Sequence, residues 1–113
     1  MVRIGRLVLI LFLTAYLTGC LSPGPGLTPA VMSKLADGKR SFKQGYYKTA
    51  MRKLLPLACD GNAEAQYAVG FMHYYGYGVP QDTEIGFIWI ERSVRQGFPP
   101  AKEDIKMIKI NGD

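Results

Sequence analysis

The feature that most restricts this chain is a recurrence. Asp60-Gly61-Asn62-Ala63-Glu64-Ala65 has a counterpart in Gln96-Gly97-Phe98-Pro99-Pro100-Ala101, 36 residues further along. In both, an alanine follows the glycine by four positions. Glycine permits the left-handed turn that stops a helix, and the small alanine lets the next helix lie close against the last. A period of roughly 33–47 residues belongs to stacked helical hairpins. From Thr28 onward no four-residue stretch alternates apolar and polar side chains as a half-buried strand does. The prediction is an all-α fold: a short α/α solenoid of about five antiparallel helices.

Punctuation elsewhere agrees. Thr28 followed by Pro29 is an N-cap with proline at the first helical position, and Gly45 marks the far end, so one helix is predicted over about 29–44 with Val31, Leu35 and Phe42 inward. A second spans about 46–60, with Ala50, Leu54, Leu57 and Ala58 on one face; Pro56 inside it favours a kink or an early end. Asn62 caps a third helix, where Ala65, Val69, Met72 and Phe71 form a stripe before Gly76. Asp82 caps a fourth, carrying Phe87, Trp89, Ile90 and Val94 as far as Gly97. The fifth, about 100–110, has Ala101, Ile105 and Ile108 inward and Lys102, Glu103, Lys106 and Lys109 wet.

The first 19 residues differ from the rest. Arg3 and Arg6 precede an apolar run of 11 residues, Leu7 to Leu17, broken only by Thr14 and Tyr16. That layout predicts a secretory signal peptide, since a permanent span takes about 20 residues. Leu17-Thr18-Gly19-Cys20 resembles the bacterial lipobox, which implies cleavage before Cys20 and diacylation of its sulfur. Several acyl chains tether firmly without spanning. In the lipobox rule an Asp after the cysteine retains a protein at the inner membrane; here Leu21 stands there, implying the outer membrane, facing the periplasm. An ordinary signal peptide is the alternative reading. Residues 21–28, rich in proline and glycine, read as a tether. The predicted divisions are 1–19 signal peptide, 20–28 lipidated cysteine and tether, 29–61 first repeat, 62–97 second repeat, and 98–113 closing helix and tail.

Ala65-Gln66-Tyr67-Ala68-Val69-Gly70-Phe71-Met72-His73-Tyr74-Tyr75-Gly76-Tyr77-Gly78-Val79-Pro80-Gln81-Asp82, continuing to Trp89 and Arg95-Gln96-Gly97, resembles one complete Sel-1-like repeat, a relative of the tetratricopeptide repeats. Phe42, Gly45-Tyr46, Ala50, Leu57-Ala58 and Asp60-Gly61 resemble a degenerate first repeat. The resemblance implies a helical-repeat fold that binds protein in a groove between hairpins. Tyr67, Phe71, Tyr74, Tyr75 and Tyr77 are candidate lining residues, although Tyr67 and Tyr74 match positions that usually pack within the repeat. Against the family pattern, Gly86, Ser93 and Val94 replace alanines. Gly86 is expected to cost its helix about 1 kcal/mol, and Val94 to push the hairpin slightly apart. Ile85 and Ile88 stand where the family is polar. They are expected to be covered by the last helix or the tether, with a partner-contact patch as the alternative.

Searching for chemistry yields little. His73 is the only histidine, which excludes a histidine-based metal cluster and favours a half-exposed structural role. Asp82 with Glu84, and Glu103 with Asp104, sit at helix starts, where negative charge offsets the macrodipole. No phosphate loop, zinc motif or nucleophile-base arrangement appears. The prediction is no catalytic site, no metal, and no cofactor beyond the lipid on Cys20. With Cys20 acylated, Cys59 is the remaining thiol. It is expected to be partly buried and outside any intrachain disulfide, with disulfide dimerisation as the alternative.

Charge is uneven. The formal net charge of +5 falls to +3 beyond residue 19, where twelve basic residues meet nine acidic ones, a weak basis for nucleic-acid binding. Lys34, Lys39, Arg40, Lys43, Lys48, Arg52 and Lys53 face only Asp37 over the first hairpin, while residues 54–113 carry five basic and eight acidic groups. The functional expectation is a membrane-anchored periplasmic lipoprotein that binds an envelope protein or peptide, without nucleic acid. The alternatives are a cell-envelope enzyme and an accessory protein that binds peptidoglycan or an anionic surface.

Overall fold

The computed structural model describes residues 27–111. Among these described residues five helices follow one another: α1 (Pro29–Lys43), α2 (Tyr47–Cys59), α3 (Ala63–Tyr75), α4 (Thr83–Arg95) and α5 (Pro99–Asn111). No strand occurs among the described residues. The predicted all-α helical-repeat fold is the fold observed.

Each expected cap is made by the residue the sequence supplies. The Thr28 hydroxyl accepts from the Val31 N–H at 3.3 Å, the Asn62 side chain from Ala65 N–H at 2.9 Å, and the Asp82 carboxylate from Ile85 N–H at 2.9 Å. Helix ends repeat one device. Tyr46, Asn62, Tyr77 and Phe98 donate their backbone N–H to the carbonyls of Ser41, Leu57, Met72 and Ser93, each just after a glycine of positive φ. This is the six-to-one bond that satisfies a terminal carbonyl, and it turns the chain back within three residues at Gly61 and Gly97. α2 does not stop at Pro56 but continues to Cys59. The proline is exposed in the last turn, where little helix remains to be disrupted.

Each helix packs on the next, α1 on α2, α2 on α3, α3 on α4 and α4 on α5. The first three share a core of Leu35, Ala50, Met51, Leu54, Leu57, Ala58, Ala65, Val69 and Met72. A smaller cluster of Ile90, Ala101 and Ile105 joins α4 to α5, with Tyr67, Phe87, Val94, Phe98 and Ile108 against it. Phe42, Phe71, Phe87, Trp89 and Val94, expected inward, are only half-buried. They lie at the edges of the stack, where apolar rings meet water.

Two expectations about α4 need correction. Gly86 is more than a weak helix former: a Cβ there would lie 2.6 Å from the Tyr74 backbone nitrogen, so the close approach of α3 and α4 depends on the missing side chain. Ile85 and Ile88 are 41% and 44% exposed. α5 packs on a different face of α4, through Ile90, and leaves both isoleucines in solvent.

Candidate functional site

One side of the stack holds a groove of about 260 Å³, bounded by α1, α2, α3 and the start of α5. Its apolar floor comes from Phe42, Leu54, Tyr67, Ala68, Phe71 and Phe98. Lys39 and Lys43 of α1 and Glu64 of α3 form the polar rim. The aromatic residues arrive by helical periodicity: Tyr67 and Phe71 lie four residues apart on α3, so both point to the same side.

The rings form a continuous chain of contacts. Phe98 lies 5.6 Å from Tyr67, Tyr67 6.2 Å from Phe71, and Phe71 6.0 Å from Phe42 by ring centroid. Beyond the groove, Phe71 meets Tyr75 at 4.6 Å and stacks on Tyr77 at 5.9 Å, while Tyr77 meets Tyr47 at 4.7 Å. Such pairs add roughly 0.5–1.5 kcal/mol each beyond burial. Gly78 makes the Tyr77 contact possible. Its φ is +73°, and a Cβ there would lie 2.6 Å from the Tyr47 carbonyl carbon, so the α3–α4 loop rests directly on the start of α2.

Polar contacts stiffen the groove. The Tyr67 hydroxyl donates to the Asp104 carboxylate at 2.5 Å, joining α3 to α5. Burial, the bond to Asp104 and that group's charge, with a contribution from Tyr75, hold the Tyr67 phenol well above the ordinary tyrosine range. Lys39 forms an ion pair with Glu64 across the rim, joining α1 to α3. Lys43 makes no ion pair among the described residues. Behind the groove, the Gln66 amide donates to the Ala58 carbonyl at 3.2 Å and accepts from Gln96 at 2.7 Å, which explains why a buried glutamine is tolerated.

Of the residues predicted to contact a partner, Tyr67 and Phe71 line the groove and Tyr75 and Tyr77 extend the aromatic surface from it. Tyr74 touches Tyr75 at 5.0 Å but does not line the groove, and Ile85 and Ile88 stand apart on α4. Sequence reasoning missed Lys39, Lys43 and Phe98 as lining residues and assigned Phe42 to the core. An available signal was the six-residue separation of Phe98 from Asp104, which lets one short segment supply both a lining ring and a partner for Tyr67.

The remaining chemistry-bearing side chains do not converge. His73 is half-buried as expected, and its Nδ1 has no hydrogen-bond partner. No group of three or more histidine, cysteine, aspartate or glutamate side chains that could hold a metal occurs among the described residues. Asp82 serves as the α4 cap and Glu64 as the partner of Lys39. Cys59, half-buried at the end of α2, is disulfide-bonded, which corrects the expectation of a lone thiol. Cys20, with its predicted lipid, and the signal peptide lie outside the described residues. No helix among those described is long and apolar enough to cross a membrane.

Comparison with known proteins agrees with this architecture. Residues 63–98 match the family model described as Sel1 repeat. The chain is 39% identical over 74 residues to Chitin synthase regulatory factor 3 of Schizosaccharomyces pombe (strain 972 / ATCC 24843), an alignment covering 55% of this chain and 8% of that protein. The chain thus spans under a tenth of that relative's length. No solved structure matches it. The matched segment is α3, the loop that rests on α2, α4 and the turn into α5, so the part of this chain similar to a Sel1 repeat supplies three of the groove's aromatic residues, Tyr67, Phe71 and Phe98.

Proposed function

We propose that this chain is a protein-interaction module that holds a partner protein or peptide in the groove, carried by a lipid on Cys20 at the periplasmic face of the outer membrane. The observation that carries the binding role is the open apolar groove itself, with aromatic rings in contact from Phe98 to Phe42. Side chains of this kind dominate protein interfaces because they bring large area at small entropic cost. The match to a Sel1 repeat and the similarity over 74 residues to a protein named as a regulatory factor support the binding reading. The lipobox-like Leu17-Thr18-Gly19-Cys20 supports the anchor.

Two experiments test the halves separately. A photocrosslinking amino acid at Tyr75, on the groove side, is compared with one at Met107, which is 60% exposed on α5. A discrete adduct from the first position alone is expected in intact cells; equal labelling from both, or none, contradicts a groove-bound partner. Metabolic labelling with a fatty-acid probe in wild type against Cys20→Ala tests the anchor, and label that survives the substitution rejects it.

A further inference from the structure

The groove's polar rim is asymmetric in a way that selects its ligand. Resting on the reading of the groove as the interaction site, we propose that it takes an acidic peptide segment with one bulky apolar side chain. That side chain seats among Phe42, Tyr67, Phe71 and Phe98, and carboxylates flanking it face Lys43 and Lys39.

Size limits the anchor. Small-molecule sites occupy roughly 300–1,000 Å³, and the groove at about 260 Å³ falls just below that range. It suits one large side chain rather than a whole cofactor. Its lining is almost wholly apolar, so the anchor has to be apolar too.

Charge sets what surrounds the anchor. On α1, Lys43 stands at the rim exposed and without an ion pair among the described residues, while Lys39 is already paired with Glu64. The hairpin behind this rim carries seven basic residues and one acidic residue over positions 28–53. An anionic segment approaching from that side is attracted and a cationic one repelled, an effect that acts chiefly on association rate and partner choice. The Lys39–Glu64 pair sharpens the prediction. An acidic ligand competes with Glu64 for Lys39, so removing the Glu64 charge strengthens acidic binding, whereas a basic ligand responds in the opposite sense.

The test uses the full-length chain in detergent and fluorescence anisotropy with three labelled peptides: one tryptophan flanked by glutamates, the same tryptophan flanked by lysines, and the glutamate peptide with alanine for tryptophan. The first is expected to bind at least about tenfold more tightly than either of the others at low salt, and to weaken as salt rises. Lys43→Glu, at an exposed position, weakens it about three- to tenfold; Glu64→Gln strengthens it; Phe71→Ala reduces it about tenfold or more. Equal or tighter binding of the lysine peptide, or no response to Lys43→Glu, overturns the proposal. So does a self-associating chain whose dimer is broken by Phe71→Ala, which makes a second copy the occupant. Peptide binding that appears only after residues 1–19 are deleted makes the chain's own N-terminal segment the occupant, and also overturns it. If no peptide binds while the Tyr75 crosslink persists, the acidic class fails and the interaction reading stands; loss of both removes both.

Discussion

Gly70 of α3 and Gly86 of α4 face each other so closely that a Cβ built on either lies 2.8 Å from the other's carbonyl oxygen. The Gly70 position also meets the Ile90 nitrogen at 2.8 Å, and the Gly86 position the Tyr74 nitrogen at 2.6 Å. Alanine in an isolated helix would be favoured over glycine by about 1 kcal/mol. Here the contact is with backbone, which cannot swing aside. Gly70→Ala and Gly86→Ala are each expected to lower stability by about 1–3 kcal/mol, read as a shift in urea midpoint. An unchanged or raised midpoint for Gly86→Ala would mean that helix propensity outweighs the crossing.

Ser93 makes a complementary case. It is fully buried, and its hydroxyl donates to the Ala63 carbonyl at 2.6 Å, tying the end of α4 to the start of α3. Ser93→Ala restores the residue usual in the family pattern, yet it removes this bond and leaves the Ala63 carbonyl only its partner within α3. A loss of about 0.5–1.5 kcal/mol is expected. Thermal or urea melts that coincide with wild type contradict the assignment.

Tyr67 introduces a pH dependence. Its folded-state pKa is raised, chiefly by burial and then by the Asp104 bond and charge. The contribution to stability is therefore fully present below the unfolded tyrosine value of about 10 and is lost as pH rises through the folded value, because the unfolded state releases the proton first. Wild type should lose stability above about pH 10 more steeply than Tyr67→Phe. The variant should be less stable by about 1 kcal/mol near neutrality, having lost one hydrogen bond. Parallel stability curves across the alkaline range would contradict the Tyr67–Asp104 link.

Cys59 and the proposed anchor constrain each other. Cys59 is disulfide-bonded, and the chain's other cysteine is Cys20. One sulfur cannot hold a thioether-linked diacylglyceryl group and a disulfide at once. Non-reduced, unlipidated chain is expected to resist maleimide at Cys59 until a reductant is added, whereas chain acylated at Cys20 and lacking an intermolecular bond should label without reduction. Mass spectrometry of both forms, with and without reductant, reads this directly; maleimide labelling of Cys59 in non-reduced, unlipidated chain refutes the disulfide.

Much of the architecture was legible because the signals were local. Thr28, Asn62 and Asp82 hydrogen-bond within three residues of themselves, and the glycines close turns within five, so neither needs knowledge of distant neighbours. The stripe of Ala65, Val69 and Met72 is equally local, following from helical periodicity alone. The groove was only half legible. Tyr67 and Phe71 stood out as aromatic residues on one helix face. Phe98 lies in a turn with no periodicity to mark it, and Lys39 and Lys43 read as an ordinary wet face until α3 and α5 were placed beside them. Ile85 and Ile88 were legible as apolar residues out of pattern, but whether α5 reaches them depends on the angle at which it leaves α4.

Sequence by itself determined the number, order and approximate limits of the helices among the described residues and the 36-residue recurrence from Gly61 to Gly97, since caps, turns and periodicity act over a few residues. Tertiary structure alone decided why Gly70 and Gly86 are glycines, which aromatic rings share a groove, and that Tyr67 meets Asp104 37 residues away. Those outcomes depend on how closely two helices approach and how they are rotated. That is set by packing summed over the whole stack, with nothing written at any single position to announce it.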